Sequence, residues 1–142
     1  MADYTGITRI NYFRVKNAAA FLSWCKDLQL THWDKKFPEH PGETFYAITA
    51  DDRGNCDGWP TYVEDEHGEQ IDDYNFADDL AEHLGPRDVA ILKEVGSEKL
   101  AYLTGYATAI DASRKSVTIS LRQIDELAEK TFPSLNITEC IY

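Results

Sequence analysis

The sequence predicts an α+β fold: a mostly antiparallel sheet of about five to six strands with three helices against it. Three observations predict it. Apolar residues recur at helical spacing in three separate stretches, Phe21/Trp24/Cys25/Leu28, Phe76/Ala77/Leu80/Leu84 and Leu121/Ile124/Leu127/Ala128. Between them lie short runs rich in Val, Ile, Tyr and Thr, the residues that favour strands. Read in chain order the elements run β-α-β-β-(β)-α-β-β-β-α, for which an elaborated ferredoxin-like core is one reading.

The elements follow in order. Residues 8–15 read as a strand leading to Asn17, a side chain suited to cap the first helix. Residues 31–37 and 43–50 read as two strands around the Pro/Gly-containing turn 38–42. Residues 51–60 form a polar loop with Gly54, Asn55 and Asp57-Gly58 as turn residues, and a short strand is expected near 61–64. A polar connector, 64–73, enters a second helix at 73–84. Asn75, Asp78, Asp79 and Glu82 lie on the face opposite its apolar stripe, and Gly85-Pro86 stops it. Residues 88–95 and 100–110 form a hairpin about a turn at 96–99, followed by a turn within 109–115 and a strand at 116–121. The last helix covers 121–131, with Ser120 and Gln123 as a capping box and Leu121, Ile124, Leu127 and Ala128 as its buried stripe. Pro133 ends it, and the apolar tail 135–142 is expected to dock in extended form.

A length of 142 residues suits one domain, 1–142, able to bury a sizeable core. Apolar residues are 43% and charged residues 27%, a globular composition. No apolar run approaches the ~18 residues of a membrane span, and the N-terminus shows no basic and apolar segments of a signal peptide. Cys25, Cys56 and Cys140 are odd in number, far apart and without C-x-x-C spacing, which fits a reducing cytoplasm.

The net charge is −11, and its distribution says more than its size. Residues 51–82 hold twelve acids and one base, Arg53, while the other 110 residues hold thirteen of each. The chain is a charge-balanced domain with one strongly negative loop-helix region, 51–84. Such a field disfavours direct binding of nucleic acid or an anionic membrane and favours a basic protein.

No catalytic constellation emerges. His32, His40, His67 and His83 lack metal-ligand spacing, and His83 lies at the apolar edge of the second helix, where a half-buried ring is expected. Asn55, Asp57, Gly58 and Glu64 fall on calcium-loop positions, but the first position would be Arg53, which cannot ligate. Phosphate-binding glycine loops and a nucleophile elbow are absent from the sequence. Cys25 sits on a buried stripe and Cys56 among acids, neither an activating setting for a thiol. Paired carboxylates abound, which keeps an enzyme using surface carboxylates as an alternative, but twelve acids in one window single out no acid/base pair, so a non-enzymatic protein without a cofactor is expected.

The window instead reads as a surface for a partner. Its candidate residues are Asp57, Trp59, Tyr62, Glu64, Asp65, Glu66, Asp72, Asp73, Asp78, Asp79 and Glu82. Carboxylates one helical turn apart, as at Asp78 and Glu82, stand roughly 6 Å from each other, comparable to phosphates along a nucleic-acid strand. Trp59, Tyr62 and Tyr74 interleave with the acids as aromatic anchors would, and each reads equally well as a core residue. A solvated surface that only confers solubility is the plainer reading, with contacts elsewhere, such as a homodimer through a sheet edge.

Residues 11–16 (NYFRVK), 58–62 (GWPTY), 76–84 (FADDLAEHL) and 89–110 (VAILKEVGSEKLAYLTGYATAI) resemble stretches of small acidic proteins carried by bacterial phages, plasmids and genomic islands. The resemblance spans most of the chain and brings no catalytic residues with it. It implies a mobile-element protein acting in the cytoplasm of a bacterial host. Small acidic proteins in that setting often resemble anti-restriction or anti-CRISPR inhibitors, some of which mimic the charge of DNA. The implied partner is a basic, nucleic-acid-binding host-defence complex.

Overall fold

A computed structural model describes residues 4–50, 57–98 and 102–138. Its elements are β1 (Tyr4–Ile10), α1 (Ala18–Asp27), β2 (Thr31–Lys35), β3 (Phe45–Thr49), α2 (Phe76–Ala81), β4 (Val89–Glu98), β5 (Tyr102–Asp111), β6 (Ser116–Ser120) and α3 (Gln123–Thr131). The α+β class is therefore observed. The strands form a four-stranded sheet, β1-β4-β5-β6, and a two-stranded sheet, β2-β3. Every ladder is antiparallel, in keeping with the mostly antiparallel sheet the sequence predicts.

Alternation along β4 sets the two faces of the larger sheet. Ala90, Leu92 and Glu94 are buried, while Val89, Ile91, Lys93 and Val95 point the other way and are exposed. The inner face packs on α1 and α2. Phe21 and Cys25 of α1, Phe76, Leu80 and Ala81 of α2, and Phe13, Leu84, Leu92 and Ile110 form one buried cluster. Asn17 caps α1 as its sequence predicts, its side chain accepting from Ala20 N at 3.0 Å.

Polar pins join the parts. The buried hydroxyls of Thr8 and Thr49 lie 2.7 Å apart and tie β1 to β3. Past the end of β1, Asn11 continues the ladder with its side chain, donating to Val89 O at 2.8 Å and accepting from Ile91 N at 2.7 Å. Phe13 and Val15, expected inside the first strand, make isolated bridges to Tyr46 and Leu84 instead. Arg14 donates to Asp88 from its backbone N at 2.6 Å and from Nε at 3.0 Å, and that guanidinium holds the Asp88 carboxyl below its usual pKa.

Several expected boundaries move. Gly96 lies within the β4 ladders, paired to Gly6 and Thr104, so the hairpin turn falls beyond Glu98, outside the described residues. A Cβ at Gly96 would sit 2.5 Å from Thr5 O and from the Tyr4 hydroxyl, which explains the glycine in mid-strand. The strand expected near 61–64 is only an isolated bridge between Glu64 and Gln70.

The C-terminal stripe is the largest departure. Leu121, Ile124 and Leu127 are all more than half exposed, and α3 has no buried residue. Of the expected capping box only one half forms, Ser120 N donating to Gln123 Oε1 at 2.9 Å. Leu135 and Ile137 in the tail are also exposed. A helical stripe reports which face seeks burial, and here the described residues of this copy do not cover it.

Candidate functional site

The acidic region is a stapled surface rather than a tail. Residues 51–56, including Asp51, Asp52, Arg53 and Cys56, lie outside the described residues, as does Asn55 of the calcium-loop pattern. At Asp57 the chain meets the inner face of the sheet. Gly58 has φ +87° and packs so closely on the Glu94 carboxylate that any Cβ would collide with it. Trp59 N then donates to Glu94 Oε1 at 2.7 Å, and Trp59 Nε1 to Lys93 O at 3.1 Å. Glu94 also accepts from the hydroxyls of Tyr4 at 2.7 Å and Tyr106 at 3.2 Å, so its buried charge is matched by three donors.

Three rings fasten this segment to the helices. Phe76 of α2 stacks on Trp24 of α1 at 5.5 Å and 13°, and on Trp59 at 5.3 Å and 15°. Trp59 is only 3% exposed. Of the two readings the sequence left open for Trp59, the core one holds and the surface-anchor one does not; a ring beside acids reads the same in sequence whether it turns in or out. Tyr62, 54% exposed, remains on the surface.

Residues 63–71 make a small hairpin. Asp65 N donates to Glu69 O at 2.7 Å, and Ile71 N to Val63 O at 2.9 Å. The Asp65 carboxylate accepts from His67 N at 2.8 Å and Glu69 N at 3.0 Å, closing the turn in which Gly68 adopts φ +77°. Asp65 thus shapes the turn as well as charging it. Glu64, Glu66, Glu69, Asp72 and Asp73 are exposed around it. Among the described residues, none of these five carboxylates pairs with a lysine or arginine; Glu66 has only His67 at 3.5 Å.

The second helix is shorter than expected, Phe76–Ala81. Asp73 has φ +56°, which stops a helix from starting there, and Asn75 is the cap, accepting from Asp78 N at 3.0 Å. Asp72 and Asp73 therefore belong to the connector. Asp78 and Asp79 occupy the first turn, at the positive end of the helix dipole.

The expected acidic face of this helix is largely committed to the fold. Asp79 accepts from Trp24 Nε1 at 2.8 Å and from Tyr74 Oη at 2.9 Å, so it is a structural carboxylate, half-buried. Glu82 pairs with Arg114. Neither is free to serve as unpaired charge, and both leave the set of partner-facing acids. His83 is half-buried against the Trp24 ring at 4.8 Å, and burial lowers its pKa. Burial likewise pushes the Cys25 thiol up to about 12.

A groove of about 650 Å³ runs between the end of α1 and residues 57–64. Among the described residues, Asp27, Asp57, Glu64 and the hydrogen-bonded Asp79 line it and no lysine or arginine does, with Trp24 and Tyr62 among its walls. Such a groove can receive a cationic side chain. Sequence reasoning missed Asp27, which lies far outside the acidic window, and the exposed Ile71 beside the hairpin. A second cleft, of about 310 Å³, lies between α2 and the inner face of β5 and β6 and is bordered by Tyr74, Tyr106, Thr108 and Thr118. Among the described residues no three His, Cys, Asp or Glu side chains converge as a metal set, and no helix is long and apolar enough to cross a membrane.

Compared with family models, with curated proteins and with solved structures, the chain matches none.

Proposed function

We propose that this chain is a non-enzymatic binding protein that presents the hairpin and connector at 63–73 to a basic protein. One observation carries the reading. Five exposed carboxylates, Glu64, Glu66, Glu69, Asp72 and Asp73, crowd a backbone held in place by the Asp65 turn, with no lysine or arginine paired to them among the described residues. Like charges so arranged cost stability, a few tenths of a kcal/mol for each close pair. A surface kept for solubility alone has no need of a fixed shape. Tyr62 and Ile71 supply exposed apolar contact beside the charge, and the groove lined by Asp27 and Asp57 supplies a place for an arginine or lysine.

The partner class follows from charge and from the resemblance to mobile-element proteins: a basic, nucleic-acid-binding complex of bacterial host defence, engaged by a surface that imitates nucleic-acid charge. The test is capture from a bacterial lysate by the tagged full chain at about 50 mM and about 500 mM salt. A basic nucleic-acid-binding protein should be retained at low salt and shed at high salt. A variant carrying Glu64→Gln, Glu66→Gln, Glu69→Gln, Asp72→Asn and Asp73→Asn should not retain it. Equal retention by that variant would show the reading to be wrong.

A further inference from the structure

Among the described residues, nothing covers the outer face of the larger sheet. Register places its side chains in rows: Ile7, Val95 and Gly105, with Leu121 packed over Gly105; then Arg9, Lys93, Ala107 and Ile119; then Ile91, Ala109 and Val117. Ile7, Val89, Ile91, Val95, Leu103, Val117, Ile119 and Leu121 are between 39% and 65% exposed. The amphipathic helix α3, directly after the edge strand β6, has the converse defect. Its stripe, Ile124 and Leu127, is 63% and 55% exposed. Among the described residues, the sheet face has no helix over it and the helix stripe has no sheet under it.

We propose that two copies of the chain associate through these outer faces, α3 of each copy lying on the sheet of the other. The area fits. With ordinary side-chain sizes, these ten residues expose on the order of 1,000 Å² of apolar surface per copy, against about 800 Å² per partner in a stable complex. A patch that size is more than a monomer ordinarily leaves to water. A two-fold arrangement satisfies both copies with one kind of contact, helix to sheet and sheet to helix.

Charge agrees. Asp125, Glu126 and Glu129 flank the stripe of α3, and the facing sheet row carries Lys93 and Arg9. The acidic hairpin is tied to the inner face through Trp59 and Glu94, so this dimer holds its two acidic surfaces apart and turned outward. The interface uses the opposite side of the sheet from the acidic hairpin.

The test is the mass of the full chain in solution, by sedimentation equilibrium between about 1 and 100 µM. The expected result is a dimer in equilibrium with the 16.1 kDa monomer. Two variants probe the two halves of the contact, Leu127→Glu on α3 and Val117→Thr with Ile119→Thr on the sheet, the latter keeping strand-favouring residues. Each should weaken dimerisation at least tenfold with an unchanged circular-dichroism spectrum. A 16.1 kDa species at every concentration overturns the proposal, whether α3 has folded back on its own sheet or the face takes lipid vesicles instead. A dimer that both variants leave intact also overturns it.

Discussion

Glu94, on the central strand β4, accepts the main-chain N–H of Trp59 at 2.7 Å and so anchors the start of the acidic segment with an acid of its own. The same carboxylate takes the hydroxyls of Tyr4 and Tyr106. Glu94→Ala would leave these donors buried without an acceptor and should destabilise the fold by on the order of 2–4 kcal/mol. Glu94→Gln keeps an acceptor oxygen and should cost less. Urea denaturation of the two variants checks the order.

Gly58 is required by the same contact. Its φ of +87° and its approach to the Glu94 carboxylate leave no room for a side chain. Gly58→Ala should cost about 1–3 kcal/mol. Thermal or urea unfolding measures it, and an unchanged midpoint would contradict the described path of residues 57–60.

The acidic hairpin should behave differently. Asp65 aside, the exposed acids of the hairpin and connector accept no hydrogen bond from the fold among the described residues, and Asp73, at φ +56°, sits where asparagine is well tolerated. Changing Glu64, Glu66, Glu69, Asp72 and Asp73 to their amides should leave stability unchanged or raise it by a few tenths of a kcal/mol per close pair relieved. Asp79→Asn should lower it, because the carboxylate links Trp24 to Tyr74. Unfolding midpoints of the fivefold variant and of Asp79→Asn should therefore move in opposite directions or differ clearly.

This contrast marks what was legible in the sequence. Periodicity placed α1, the β2-β3 pair and strands β4 to β6 because each stripe or alternation is a local pattern. It placed an acidic helix at 73–84 but not its true start, because the positive φ of Asp73 is a property of the folded turn. Nor could it separate Trp59 in the core from Tyr62 on the surface, or Asp79 inside a hydrogen-bond network from Asp72 in water. Those distinctions depend on Glu94 and Trp24, which are tens of residues away in the chain. The stripe of α3 was legible as apolar, whereas what covers it is a question between surfaces rather than within a segment.

Stability should fall on acidification from two starting points, pH 6.5 for His83 and pH 3.8 for Asp88. Burial lowers the pKa of His83 below 6.5, so above that value both folded and unfolded chains hold it neutral. As pH falls below 6.5 the unfolded state takes up its proton first, and stability declines until the folded pKa is passed. His83→Phe, which keeps a ring against Trp24, should flatten that limb. Asp88 is held low by Arg14, so its contribution is intact above 3.8 and is lost as pH falls from there through its folded pKa. Urea midpoints at half-unit steps from pH 7.5 to pH 3, for the wild-type chain and His83→Phe, measure both contributions.

The most direct test of the proposed binding surface is the affinity of the captured partner, titrated at several salt concentrations with the wild-type chain and with the fivefold amide variant. The expected result is wild-type binding that weakens at least tenfold between about 50 and 300 mM salt, and variant binding that is weak and nearly independent of salt. A variant that binds as tightly as wild type, with the same salt dependence, would contradict a role for the acids at 64–73.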